Sequence, residues 1–134
     1  MVTHQTALIY TMVLVSAADG EMTDAELATI GEIVRTLPAF RDFNHDHLTR
    51  ASEDCAELLA SDDGLETVLG IIARGLTERL RETAYVLACD VAAADLVADQ
   101  EELRLLEMLR NHLDIDRLAA AAIERAARAR HATA

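Results

Sequence analysis

Apolar positions recur along the chain with a helical period, and no stretch shows the period-two alternation of a half-buried strand. The first run, about residues 3–18, is apolar on most sides. That predicts a central, buried helix rather than a surface one. Asp19-Gly20 stops it. Thr23 then caps a second helix, with Glu26 three residues on. Thr-x-x-Glu is a capping box, in which each side chain satisfies the other residue's free backbone N–H. Leu27, Ile30, Ile33, Val34 and Leu37 form the apolar stripe of that helix, and Pro38 ends it. A loop with Phe40 and Phe43 follows. Asn44 or Asp46 caps a third helix reaching about residue 60, and Ser61-Asp62-Asp63-Gly64 is a turn. A fourth helix covers about residues 65–73 and breaks at Gly75. Thr77 caps a fifth, about residues 78–94. Asp99-x-x-Glu102 is a box-like start for a sixth, which reaches about His112. Asp114 is expected to cap a seventh, about residues 115–130, and residues 131–134 to fray. The expected fold class is all-α with about seven helices.

An offset of 76 residues lays the chain on itself. Ala17-Ala18-Asp19 falls on Ala93-Ala94-Asp95, and Glu26-Leu27 falls on Glu102-Leu103. Ile30, Ile33 and Leu37 meet Leu106, Leu109 and Leu113, so the apolar register agrees as well. Each half is expected to be a buried helix, a short acidic turn, an amphipathic helix and a third helix. Residues 7–60 should then superpose on residues 83–130 about a pseudo-two-fold axis, with helices one and five at the centre. The whole chain, residues 1–134, reads as one domain, and two copies are too few for a solenoid.

A long apolar helix running into Ala-Ala-Asp-Gly, then Glu-Leu after five residues, with a second acidic copy downstream, resembles the tellurite-resistance TerB family. The similarity extends from about Leu8 to Ile123. Its most specific part runs from Ala18 to Leu27; the second copy, Asp95 to Leu103, departs from it at Leu96, where the first has Gly20. The resemblance implies an all-helical fold of two three-helix repeats and an association with tellurite resistance and stress responses. It also implies acidic residues proposed to bind metal, and no enzymatic activity.

Composition narrows the picture. The chain has 134 residues, 51% of them hydrophobic, which is enough for a core and too apolar for a disordered segment. Only 3% are aromatic, too few for stacking single-stranded nucleic acid. The net charge is -12, and every base is Arg. An acidic surface repels phosphate backbones and anionic lipid, so a protein partner is expected and nucleic acid is not. The acid is unevenly spread: residues 117–134 hold four arginines and one acid, a basic end on an acidic body. The apolar run from Leu8 to Ala18 is too short to span a bilayer, and no Arg precedes Arg35 to start a signal peptide. A cytoplasmic location is the expectation. Cys55 and Cys89 have no metal-like spacing and are expected to be buried apolar residues.

The chemistry lies in the acidic turns. Asp19 and Glu26 bracket the first, Asp95 and Glu102 the second. If the turns share one end of the molecule, their carboxylates repel; two unit charges about 4 Å apart cost roughly 4 kcal/mol at an effective dielectric of about 20. Such a cluster opens to water, holds protons or recruits a cation. Carboxylates without Cys or nearby His select hard ions of the Ca²⁺, Mg²⁺ or Mn²⁺ class. No Gly stands at the sixth position counted from Asp19 or Asp95, so neither turn is an EF-hand. Helix capping alone also explains both glutamates, which leaves a metal-free interaction module as the alternative. Asp90 pairs with Leu14 in the repeat, a core position, where a carboxylate needs a ligand, an Arg or a free backbone group unless it is exposed. It is a possible accessory to the cation site. His45-Asp46-His47 makes a transition-metal site only in a loop or cap, because i and i+2 do not share a helical face. Nucleotide-loop, zinc-protease and nucleophile-elbow motifs are missing, so no catalytic activity is expected.

Overall fold

The structure is a computed structural model and describes residues 2–18, 22–94 and 100–134. Among these it contains seven α-helices, α1 (His4–Ser16), α2 (Asp24–Thr36), α3 (His47–Leu59), α4 (Gly64–Gly75), α5 (Glu78–Ala93), α6 (Gln100–His112) and α7 (Arg117–Arg130), with a 3-10 turn at Pro38–Phe40 and no strand. Asp19, Gly20, Asp95, Leu96 and Asp99 lie outside the described residues.

The chain is built around α1. Thr3 caps it by accepting a hydrogen bond from the N–H of Thr6, and every residue from Ala7 to Ser16 is buried. An all-round apolar helix can only sit at the centre. Its widest contact is with α5, and α3 and α4 also pack on it. Ala84 and Ala88 on α5 are completely buried, and such small side chains let neighbouring helices approach closely. Thr11 donates back to the carbonyl of Ala7 at 2.9 Å, as a core hydroxyl in a helix does. Ser16 does not: its buried Oγ has no hydrogen-bond partner among the described residues.

Side-chain caps open α2, α5 and α7, whereas α3 and α4 start without one. Thr23 and Glu26 form the complete capping box at the start of α2. That box turns Glu26 inward with Ile30 and Val34, four residues apart on one face. Leu27 therefore points away and is 50% exposed, unlike the stripe the sequence suggests. Leu103 on α6, next to the buried Glu102, is likewise 53% exposed. The side chain of Gln5 donates to the carbonyls of Ala39 and Arg41, tying the 3-10 turn to α1. Gly64 opens α4 where a Cβ would lie 2.4 Å from the carbonyl oxygen of Leu58, so the tight link from α3 admits no side chain.

One sequence expectation needs correction at α7. The helix starts at Arg117, and its cap is Asp116, whose carboxylate accepts from the N–H groups of Leu118 and Ala119. Asp114 instead adopts the left-handed conformation that ends the preceding segment, with φ 53. The offset of 76 holds through the second helix of each half. α2 and α6 begin and end 76 positions apart, whereas α7 begins at 117 against 47 for α3. The link before α3 carries the 3-10 turn and the Phe40–Phe43 edge-to-face pair, and the link before α7 is shorter.

Candidate functional site at the helix starts

Among the described residues, the buried carboxylates are Glu26, Asp90 and Glu102. Glu26 is held by its own helix start: Oε1 accepts from the backbone N–H of Thr23 at 2.9 Å and from its hydroxyl at 3.1 Å. The third-position carboxylate also faces the positive end of the helix, which favours its charge. Glu102 stands at the matching place on α6 and is equally buried. Both directly follow the acidic turns. Asp19 and Asp95, the other half of the expected site, fall outside the described residues. Among the described residues, no group of three or more His, Cys, Asp or Glu side chains stands together as metal ligands would.

Asp90 is buried on α5, as its place in the repeat predicts, and its carboxylate is met by charge. Arg130 reaches one oxygen at 3.2 Å, and the imidazole of His131 approaches the other at 3.6 Å. Of the partners open to it from sequence, an Arg is the one present. His131 is accordingly not frayed; its side chain is only a quarter exposed. The signal for this pairing was compositional, since the basic segment from residue 117 is where an isolated core acid finds cations.

A second polar group was not legible in the sequence. The hydroxyl of Tyr85 donates to Glu124 at 2.5 Å, and Arg110 pairs with the same carboxylate oxygen at 3.1 Å. This links α5, α6 and α7 across the floor of a groove of about 290 Å³, walled by Cys89, Ala92, Leu103, Leu106, Ala127 and Arg128. Burial raises the phenol of Tyr85, and the hydrogen bond to Glu124 adds to it. Burial also pushes the thiols of Cys55 and Cys89 up to about 12, so both stay protonated and inert at neutral pH. Both cysteines are free and buried, as their spacing suggests. His45 and His47 are exposed and each makes an edge-to-face contact with Phe43.

The family model of tellurite resistance protein TerB matches residues 5–127. The chain belongs to the TerB family. The match runs from the first turn of α1 into the last turns of α7, so the whole helical body described above is a TerB domain. No curated protein and no solved structure matches the chain. Among the described residues, no helix of this TerB domain is long and apolar enough to cross a membrane.

Proposed function

We propose that this TerB domain serves in tellurite resistance or a related chemical-stress response. It would do so without catalysis, by binding a divalent cation of the Ca²⁺, Mg²⁺ or Mn²⁺ class at its acidic turns. One observation carries the proposal: Glu26 and Glu102, 76 positions apart, are buried at the starts of the two helices that follow those turns. A donor set of these glutamates with Asp19 and Asp95 is all oxygen, the chemistry of hard cations. Asp90 is left out of that set, because Arg130 already pairs with it.

The capping box favours a second function, a metal-free helical module that binds a partner protein. Glu26 already has a structural task there, and Leu27 and Leu103 lie exposed at matching places on α2 and α6. Calorimetric titration of chelator-treated protein with Ca²⁺, Mg²⁺, Mn²⁺ and Zn²⁺ separates the two. With a cation site, ligand at about 100 times its dissociation constant stabilises the wild type by roughly 2.7 kcal/mol. Asp19→Asn, Glu26→Gln and Asp95→Asn should then lose that gain in thermal melts. No heat of binding, with equal melts in wild type and variants, would leave the interaction module standing. Restored growth on tellurite in a strain lacking the protein tests the cellular role.

A further inference from the structure

Among the described residues, the end of α7 has few buried side chains. The helix packs chiefly on α5, and the last core residue along it is Ala127. Of residues 128–134, all but His131 are exposed. Beyond Ala127, what fastens this final turn to α5 among the described residues is the contact of Arg130 and His131 with Asp90, a carboxylate whose side chain is only 7% exposed. A buried carboxylate needs its counter-charge, so closing the turn and satisfying Asp90 are one event. Arg130 reaches in from solvent, with two-thirds of its side chain exposed, so it regains full hydration when the contact opens. The same turn forms a wall of the groove. Ala127 and Arg128 face Cys89 and Ala93 on α5 and Leu103 and Leu106 on α6.

We infer that the last turn of α7 is a strap, closed by Arg130 and His131 on Asp90, whose release opens the groove between α5, α6 and α7. The groove is apolar along its length and polar at its floor, where Glu124 takes hydrogen bonds from Tyr85 and Arg110. Glu124 lies one turn before Arg128 on α7 and stays in place when the final turn lifts. The device is thus a hinged wall with a fixed base. It is independent of any cation at the acidic turns.

The two cysteines provide the test. Cys89 lines the groove behind the strap, whereas Cys55 lies on α3 in the other half, its sulfur 3.8 Å from the carbonyl of Tyr10. N-ethylmaleimide capture of each thiol in the full chain, followed by peptide mass spectrometry, reads the two openings separately. Asp90→Asn removes the charge that holds the strap, and Arg130→Gln with His131→Gln removes the strap's own contacts to it without touching the core. Both should speed capture of Cys89 severalfold and leave Cys55 at its wild-type rate. Combining all three changes should be no faster than the Arg130/His131 pair, since one contact can be lost only once. An unchanged Cys89 rate in the Arg130/His131 variant would overturn the strap. So would parallel acceleration of Cys55, which signals opening of the whole fold.

Discussion

Each buried polar side chain of this TerB domain is a small problem in desolvation, and the solutions differ in reach. Glu26 is satisfied three residues away, by Thr23. Asp90 is satisfied 40 residues away, by the end of α7. A local partner can be read from spacing, and the capping box was; a partner brought in by the fold cannot, so Arg130 was only one of several candidates. The thiols follow the same logic. Folding holds Cys55 and Cys89 at about 12 against an ordinary value of 9. The native state therefore keeps protons that the unfolded chain gives up. Stability should be complete below about pH 9 and fall as pH rises toward 12, by up to about 4 kcal/mol per thiol. Tyr85, also raised, acts in the same direction. Thermal melts between pH 8 and 11 check this, and Cys55→Ala with Cys89→Ala should flatten the alkaline decline.

Helix starts were the most readable elements, because a cap is chemistry between neighbours in sequence. Thr3, Thr23 and Thr77 each accept from the N–H three residues on. At the start of α7, Asp114 and Asp116 both have the chemistry of a cap, and only the backbone decides between them. Asp116→Ala should cost about 1 kcal/mol of stability, the usual loss of an N-cap. Asp114→Gly should leave stability unchanged or raise it by up to about 1 kcal/mol, because glycine takes a positive φ without penalty. Urea denaturation of the two variants distinguishes them; equal losses would restore the cap to Asp114. Of the stripe Leu27, Ile30, Ile33, Val34 and Leu37, Ile30 and Val34 are buried, Ile33 and Leu37 pack against the core, and Leu27 is the exception. The buried face is Glu26, Ile30 and Val34, so an acid at the third position rotated Leu27 into solvent.

At the scale of the molecule, α1 and α5 form the core and the other helices are fastened around them. Arg81 is one fastener. From α5 its guanidinium donates to the carbonyl of Ala73 on α4 at 3.0 Å and to that of Leu113, just past α6, at 3.5 Å. A cation placed on the trailing carbonyls of helices also meets the negative ends of their dipoles. Arg81→Met keeps the stem and removes these bonds; it should cost on the order of 2 kcal/mol in urea denaturation. A loss near zero would mean that water replaces the guanidinium at both carbonyls.

The sequence by itself determined the all-helical class, most helix starts, the burial of α1 and both cysteines, and the family. All of these rest on period, local capping or a motif, which need no knowledge of neighbours distant in the chain. Tertiary structure decided the rest: the counter-charge of Asp90, the Tyr85–Glu124–Arg110 floor of the groove, the exposure of Leu27 and Leu103, and the shortened link that breaks the 76-residue offset before α7. Tyr85, Arg110 and Glu124 carry no shared spacing, and each alone looks like an ordinary helix residue. They become one group only because α5, α6 and α7 pack side by side, and burial then makes each polar atom depend on the others.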